Sequence, residues 1–194
     1  MLSNADIKLT REMTGSDMNA CVQLACREPS ALAHLYDRYY DRIFRFCVYR
    51  VGSRTVAEDI CSAVWVSVAK SIKHFQGDGE TDFRKWIYTI AVNEVNSYYR
   101  KTARRNRHLR LLAENADDEQ LSEDSTYPQW RQVQKALKSL KTRQQSIIML
   151  RFFEKMSFDE IAEIVGVRAS TVRVTLHRSL KKLQKKLESQ MEQK

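Results

Sequence analysis

Glycine and proline are scarce in this chain, and they fall between long stretches of other residues. Five glycines and two prolines occur in 194 residues. They make six breaks along the sequence, at Gly15, Pro29, Gly52, Gly77 with Gly79, Pro128 and Gly166. A protein of many short strands needs turn residues at short intervals, so this wide spacing disfavours a sheet protein. It favours a fold made of helices.

Apolar residues recur at helical spacing through the first half of the chain. The pattern predicts helices over residues 30–51, 55–73 and 83–98, and a shorter helix near 16–27. In the second of these, an apolar residue stands at every fourth position: Val56, Ile60, Val64, Val68 and Ile72. The segment 74–82, HFQGDGETD, is rich in glycine and acidic residues, and it is predicted to be a loop.

Charge blocks mark a boundary after the third predicted helix. A basic cluster passes into an acidic stretch within residues 104–127, and Pro128 follows. Such blocks with few apolar residues are typical of flexible linkers. The sequence therefore predicts an all-α protein with two helical domains, residues 1–103 and 128–194, joined by a flexible linker.

Positive charge is concentrated on the second of these domains. Residues 1–103 carry 14 basic and 12 acidic side chains, whereas residues 127–194 carry 15 basic and 6 acidic ones. An excess of this kind is expected where a domain docks on a polyanion. Charge alone does not distinguish a nucleic acid from an anionic membrane surface.

The stretch from Met156 to Leu187 has the pattern of a helix-turn-helix. Ser157 and Glu160 form a capping box that starts a short helix, with Gly166 at the turn that follows it. The next helix, opening at Ala169 or Ser170, is predicted to bury Val172, Leu176, Leu180, Leu183 and Leu187. Its other side carries mostly polar and basic residues: Arg168, Arg173, Thr175, His177, Arg178 and Lys181. A structural hairpin with a solvated basic face would show the same pattern, but the charge of the domain favours DNA binding.

Aromatic, amide and basic residues interleave around the third predicted helix. They are Phe75, Phe83, Trp86, Tyr88, Asn93, Asn96, Tyr98, Tyr99, Arg100 and Lys101. Aromatic rings stack on unpaired bases, amides hydrogen-bond base edges, and basic groups hold phosphates. A packed core would explain the aromatic stripe equally well when it is taken alone.

Other kinds of site have no counterpart in the sequence. No apolar run approaches the ~18 residues of a membrane span, and no apolar segment near Met1 suggests a secretory signal. The four cysteines include no CxxC pair, the four histidines are scattered, and no glycine-rich phosphate loop occurs. We therefore expect a cytoplasmic protein with no metal, cofactor, small-molecule substrate, membrane insertion or catalytic activity. Buried reduced thiols are the expected state of the cysteines, with a redox or metal role as the alternative.

The motifs, taken in order, resemble the sigma-70 family of RNA polymerase sigma factors, in its extracytoplasmic-function (ECF) branch. The likeness runs from Ala31 to Leu187. AEDI with Trp65 and KSIKHFQGD resembles the polymerase-binding segment, and FRKWIYTIAVNEVNSYYRK resembles the reader of the −10 promoter element. MSFDEIAEIVGVRASTV with HRSLKKL resembles the reader of the −35 element. The resemblance implies that core RNA polymerase and promoter DNA are partners, and that an anti-sigma factor restrains the protein.

The resemblance also implies roles for individual residues. Polymerase binding is expected of Asp59, Ser62 and Trp65. Contact with the −10 element is expected of Phe75, Lys85, Tyr88, Asn93, Asn96, Arg100 and Lys101, with Asn93 reading an extruded base. Contact with the −35 element is expected of Arg168, Ser170, Thr171, Arg173, Thr175, His177 and Arg178.

This sequence departs from the family pattern at three places. Ser62, Ala63 and Trp65 stand where a Gln-Glu pair and a phenylalanine are usual, and Val174-Thr175 stands where a serine and a basic residue are usual. The loop 76–82 is slightly longer than is common. A different interpretation is a stand-alone helix-turn-helix regulator with an N-terminal sensing domain, which would leave residues 86–101 without a role on DNA.

Overall fold

The computed structural model describes residues 15–112 and 136–191, and the regular elements in these ranges are helices. Four helices form an N-terminal bundle: α1 (Gly15–Arg27), α2 (Leu32–Val51), α3 (Arg54–Ser71) and α4 (Glu80–Leu112). Three helices form a C-terminal bundle: α5 (Thr142–Phe152), α6 (Phe158–Val165) and α7 (Ala169–Met191). Short 3-10 turns at Pro29–Ala31 and Ile72–His74 precede α2 and follow α3. The all-α fold predicted from the sequence is confirmed.

Local sequence explains where α2 ends and α3 begins. Gly52 adopts a left-handed conformation with φ of 78°, and its N–H donates to the carbonyl of Val48. Glycine enters this region without the steric penalty that a Cβ would bring. Ser53 follows in an extended conformation, and its hydroxyl accepts a hydrogen bond from the N–H of Val56. The chain therefore reverses within two residues, and α3 packs back against α2.

Aromatic residues fill the centre of the N-terminal bundle. Tyr39 of α2 meets Phe83 of α4 edge to face, with ring centroids 5.4 Å apart. Phe46 meets Tyr88 in the same way one level further along, at 5.6 Å. All four side chains are fully buried or nearly so. These two layers fix α2 against α4 and orient the remaining faces of α4 toward solvent and the second bundle.

Helix α4 extends past the predicted domain boundary. The linker was predicted to begin at residue 104, but α4 continues as one helix to Leu112. Residues 104–112 contain no glycine or proline, and arginine and leucine are good helix formers. The acidic remainder of the predicted linker, together with Pro128, Trp130 and Val133, lies outside the described residues.

The C-terminal bundle has a small aliphatic core. Its buried members come from all three helices and the segment before them: Leu137, Leu140, Ile147, Leu150, Met156, Ile161, Val172, Leu176 and Leu183. Leu180 was predicted to be buried but is 38% exposed. Each residue of a helix is rotated by 100° from the one before it, so Leu180 lies at one edge of the apolar stripe of α7, and Val172 and Leu183 lie toward the opposite edge. The edge that carries Leu180 points away from α5 and α6. In α6, Val165 is half-buried, and its neighbour Ile164 takes the core position.

Among the described helices, none combines the length and the apolarity that crossing a bilayer requires.

Candidate nucleic-acid interface

The turn between α6 and α7 has the geometry that the sequence predicted. The Ser157 hydroxyl accepts from the N–H of Glu160 at 3.2 Å, and a Glu160 carboxylate oxygen accepts from the N–H of Ser157 at 2.7 Å. Gly166 ends α6 with a φ of 67°, and the N–H of Val167 donates to the carbonyl of Ala162 at 3.0 Å. This reciprocal cap and left-handed stop place α7 across α6, as a helix-turn-helix requires.

The solvent side of α7 is polar and positively charged. Most of the predicted −35 residues are exposed along it: Arg168, Ser170, Thr171, Arg173, His177 and Arg178. Thr175 is half-buried, and its carbonyl accepts a hydrogen bond from the hydroxyl of buried Ser179. No acidic residue occurs between Ala169 and Leu187, and the one acidic residue of α7 is Glu188, near its end. A helix with these properties fits the major groove of DNA.

Arg173 is held in place by an aromatic ring of α6. The centre of its guanidinium lies 5.1 Å from the centroid of Phe158, and that of Arg151 lies 4.7 Å from the same ring. Cation–π contacts of this kind reduce the number of rotamers that a long side chain samples. Arg173 is thus partly ordered before any ligand arrives.

The predicted −10 residues divide between the surface and the core of the N-terminal bundle. Asn93, Arg100 and Lys101 are exposed on α4, and Asn96 is half-buried. Phe75 is half-buried at the start of the loop, with ring centroids 5.2 Å from Trp86 and 6.0 Å from Phe83. Phe75 therefore forms part of an aromatic wall beside the loop.

Tyr88 does not reach the surface in this arrangement. Its exposure is 0%, and burial raises the pKa of its hydroxyl above the ordinary tyrosine value, as does the nearby Glu154 carboxylate. The prediction that Tyr88 contacts DNA is therefore corrected here, because the side chain packs against Phe46 in the core. Alternating aromatic and polar residues did not reveal which face of the helix each aromatic ring occupies.

The loop before α4 is tied to helix α1. The Asn19 side-chain oxygen accepts from the N–H of Glu80 at 2.8 Å, and the Gln23 amide donates to the carbonyl of Gly77 at 2.9 Å. Tyr39 donates to Glu80, and Asp82 accepts from the N–H of Asp78 at 3.1 Å. Sequence patterns did not identify Asn19 or Gln23, because single exposed amides that bond to distant backbone have no sequence signature.

The predicted polymerase-binding residues lie on α3. Asp59 and Ser62 are exposed, whereas Trp65 is only 7% exposed and packs on Tyr36 with ring centroids 4.8 Å apart. Trp65 is thus mainly a core residue, which corrects its assignment as a surface contact. The exposed aromatic group next to it is Tyr36, which continues through Tyr40 to Phe44 along α2.

The two bundles meet through polar contacts between α4 and α6. Lys85 forms ion pairs with Glu163 at 2.7 Å and with Asp82 at 3.0 Å, and Arg84 pairs with Glu160. Burial by itself would raise the pKa of Glu160, but hydrogen bonds from Ser157 and Arg84 outweigh it and hold that pKa below its ordinary value. The capping residue of the helix-turn-helix therefore also contacts the N-terminal bundle.

A second set of contacts joins α2 to the C-terminal bundle. Arg42 bonds to Glu154, and Arg50 donates to the side chain of Gln145. Arg50 is buried, which lowers its pKa to about 10, still well above neutrality, so the guanidinium remains charged. Tyr49 adds a ring contact with Phe153 at 5.0 Å. The bundles are thus in direct contact along two edges.

Comparison with known proteins matches both bundles to one family. The family described as Sigma-70 region 2 matches residues 35–105, and Sigma-70, region 4 matches residues 130–183. The chain is 30% identical over 161 residues to the ECF RNA polymerase sigma factor SigX of Bacillus subtilis (strain 168), covering 79% of this chain and 82% of SigX. This chain is an ECF RNA polymerase sigma factor. It directs RNA polymerase to promoters for transcription initiation.

Other comparisons agree with this sigma factor assignment. The RNA polymerase sigma factor YlaC of the same organism is 29% identical over 170 residues, which cover 84% of this chain and 95% of YlaC. Among solved structures, CnrH in complex with the cytosolic domain of CnrY superposes with a TM-score of 0.68 at 19% identity, covering 89% of this chain and 97% of CnrH. RpoE from Bartonella quintana, in complex with the anti-sigma factor NepR, gives 0.65 at 19%, covering 81% of this chain and 96% of RpoE. At this identity the two structures establish the fold.

The stand-alone regulator is not favoured by these findings. Its N-terminal domain would be a sensor, but residues 35–105 match a sigma factor region.

Within the described ranges, no cluster of three or more histidine, cysteine or acidic residues is arranged to hold a metal ion. Cys21, Cys47 and Cys61 of the sigma factor are buried free thiols, and burial raises the pKa of Cys61 to about 11. A thiol with so high a pKa forms little thiolate at neutral pH.

Proposed function

We propose that this sigma factor has two domains with separate binding roles, residues 1–103 and 128–194, and that residues 104–127 link them. The first domain binds core polymerase and the unwound −10 element, and the second binds the −35 duplex. The observation that carries this division is the exposed basic face of α7, with no acidic residue from Ala169 to Leu187, on a capped helix-turn-helix. The protein has no catalysis of its own and acts in the cytoplasm, with no cofactor.

At the −35 element, α7 lies in the major groove with Arg168, Ser170, Thr171, Arg173, Thr175, His177 and Arg178 toward the DNA. Arg173 is near the start of the helix, where recognition helices meet base edges, and its contact with Phe158 orders it. Arg178 lies more than a turn later and holds a phosphate. This division of roles follows the distinction between contacts that specify and contacts that position.

At the −10 element, loop 75–79 and the exposed side of α4 hold the non-template strand. Asn93 is exposed with an amide that offers both a donor and an acceptor, which suits it to reading a base edge. Phe75 and Trp86 supply an aromatic wall, Asn96 lies one turn after Asn93, and Arg100, Lys101 and Lys85 supply positive charge along the same helix. Polymerase is held through Asp59 and Ser62 of α3, with Tyr36 as the apolar part of that surface.

The two bundles must separate before both promoter elements can be bound together. Lys85, proposed to lie at the −10 element, contacts Glu163, and Arg173 follows Glu163 by ten residues. Ten residues span at most about 36 Å even when fully extended. The centres of the two promoter elements lie about 25 base pairs apart, which is about 85 Å at about 3.4 Å per pair. The contacts of α4 with α6 therefore describe the free protein and break on the promoter complex.

The experiment is a distance measurement between the bundles. Fluorophores placed at exposed Glu28 and Lys186 report transfer efficiency for the free protein, with core polymerase, and with polymerase plus promoter DNA. We expect high transfer in the free protein and low transfer in the promoter complex. A transfer efficiency that stays high while transcription starts from the promoter would contradict the two-domain assignment.

We also propose that an anti-sigma factor is a partner of this chain. One of the solved structures named above, RpoE of Bartonella quintana, holds a sigma factor together with an anti-sigma factor, NepR. An anti-sigma factor that binds the contacting bundles would keep Lys85 and Arg84 in their ion pairs with α6. Co-purification of the tagged protein from its own cells, with and without added core polymerase, tests this: a partner displaced by polymerase is the expected result.

A further inference from the structure

Helix α1 holds the backbone of loop 75–79 through two exposed amides. Asn19 accepts a hydrogen bond from the N–H of Glu80 at 2.8 Å, and Gln23 donates to the carbonyl of Gly77 at 2.9 Å. These partners are 61 and 54 residues away in the sequence. Both hydrogen bonds go to backbone atoms, so they constrain the path of the loop and leave its side chains free.

Asn19 acts as a cap for α4 supplied by another helix. Glu80 is the first residue of α4, and the N–H groups of a first helical turn have no partner within the helix. Such a group is usually satisfied by a side chain directly before the helix, but here residues 77–79 are Gly-Asp-Gly and the acceptor comes from α1. The start of α4 therefore depends on where α1 lies.

The two glycines let α1 and the loop approach closely. A Cβ at position 79 would overlap the side-chain amide of Asn19, and a Cβ at position 77 would overlap Phe75 and Asp82. Gly79 is buried although it lies in a loop. The loop is thus seated on α1 on one side and on the aromatic wall on the other.

The packing of α1 uses a different face from the one that carries these amides. Met18, Cys21, Val22 and Ala25 are buried in the bundle core, whereas Asn19 and Gln23 are exposed. Loss of either amide therefore removes a constraint on the loop while the apolar packing that holds α1 in place remains.

We propose that Asn19 and Gln23 are positioning residues for −10 recognition. They hold loop 75–79 in the conformation that receives the extruded non-template base, and they contact no DNA themselves. This inference rests on the proposed role of the loop at the −10 element. Helix α1 would then influence base preference at the −10 element indirectly, by holding the loop that contacts the DNA.

The test uses single substitutions with a rescue and a matched control. Asn19→Ala removes the acceptor, Asn19→Asp retains it, and Glu28→Ala alters an exposed residue just after the end of α1. Each protein is assayed for competition for core polymerase, for open-complex formation, and for preference over a panel of −10 sequences. Asn19→Ala should lower open-complex formation about 3- to 30-fold, the change in an equilibrium constant that corresponds to the loss of a helix cap. Gln23→Ala, which removes the hydrogen bond to the carbonyl of Gly77, should also lower it, and both substitutions should flatten the −10 preference.

Asn19→Asp and Glu28→Ala should behave as the parent protein, and all variants should compete for core polymerase equally. A parallel loss of core binding in Asn19→Ala would assign it a merely structural role and overturn the proposal. The loop itself is tested with the double change Gln76→Ala and Asp78→Ala, both on exposed residues. Altered −10 preference in the loop variant, with none in Asn19→Ala or Gln23→Ala, would refute only the positioning role. An unchanged preference in the loop variant would refute the loop's role at the −10 element, and the inference with it.

Discussion

Arg42 and Glu154 lie 112 residues apart in the chain, and two hydrogen bonds join them. The Nη2 and Nε atoms of Arg42 lie 2.8 and 3.2 Å from one carboxylate oxygen of Glu154. The Glu154 side chain is 8% exposed and that of Arg42 is 28% exposed. Because each charge is largely withdrawn from water, the loss of one leaves the other without compensation.

Glu154→Gln should favour separation of the two bundles. A hydrogen bond to a charged group contributes about 1.5–3 kcal/mol, so the separated population of the free protein should rise about 10- to 100-fold. Energy transfer between labels at Glu28 and Lys186 measures this population. Arg54→Ala is the control, because the Arg54–Glu58 pair is exposed within a single helix and contributes little. Unchanged transfer in Glu154→Gln would mean that this contact does not hold the bundles together.

Asp59→Arg should weaken binding to core polymerase while leaving the fold intact. The residue is exposed on α3, so the substitution reverses a surface charge without disturbing the bundle. Competition with the parent protein for core polymerase measures the effect, and thermal unfolding checks the fold. Glu28→Arg makes the same charge change just after the end of α1 and should compete normally. A normal result for Asp59→Arg as well would remove this residue from the polymerase-binding surface.

Asn93→Ala should impair recognition of the melted −10 element. An amide that reads a base edge contributes about 1–3 kcal/mol of discrimination, so preference at one promoter position should fall about 5- to 150-fold. Filter binding of the polymerase complex to pre-melted templates that differ at single positions measures this preference. Because Asn93 is exposed, a loss of stability would not explain the result. Equal preference in the mutant and parent would exclude base reading by Asn93.

Arg173→Ala and Arg178→Ala should have different effects on DNA binding. Loss of a base-reading arginine should cost about 1–3 kcal/mol and relax preference at one −35 position. Loss of a phosphate-holding arginine should weaken binding to every sequence and reduce the salt slope by about one. Transcription from a set of −35 variants at two salt concentrations separates the two. If neither substitution alters preference or slope, the basic face of α7 is solvated and has no role on DNA.

Gly166→Ala should destabilise the C-terminal bundle by about 1 kcal/mol. Gly166 has a φ of 67°, a region that costs an L-residue about 1–2 kcal/mol. A Cβ at this position would meet no atom within 4 Å, so the cost is conformational and not steric. Gly166→Asn should cost less, because asparagine tolerates this conformation. Chemical denaturation measures both, and equal stabilities for the two substitutions would contradict this explanation.

Helical periodicity was sufficient to place α2, α3 and the helix-turn-helix, because each has an apolar stripe bounded by a cap or a glycine. The stripe did not tell which aromatic residues point inward. Tyr88 and Trp65 were assigned to surfaces, yet they lie in the core, where Phe46 and Tyr36 pack against them. Sequence spacing gives the period of a helix, but tertiary contacts decide how wide its buried face is.

Contacts between distant segments could not be predicted from the sequence, for a different reason. Asn19 accepts a hydrogen bond from the backbone N–H of Glu80, and any residue other than proline there would present the same group. The Lys85–Glu163 pair joins two residues that look like ordinary solvated charges when each is read alone. Neither relationship changes the local pattern, so only the folded structure reveals it.

The length of helix α4 determines the direction in which the chain leaves the N-terminal bundle, because each residue turns the helix by a fixed angle. Its 33 residues form one rod about 50 Å long, from the loop at Glu80 to Leu112. Removing one residue between positions 104 and 112 would turn the end of the helix at Leu112 by about 100° around the helix axis and draw it back by about 1.5 Å. Removing seven residues, which make close to two full turns, would shorten the helix by about 10 Å and nearly restore the original direction of the chain at its end. Changes in the length of α4 therefore redirect the chain at Leu112 in a way that repeats with the helical period.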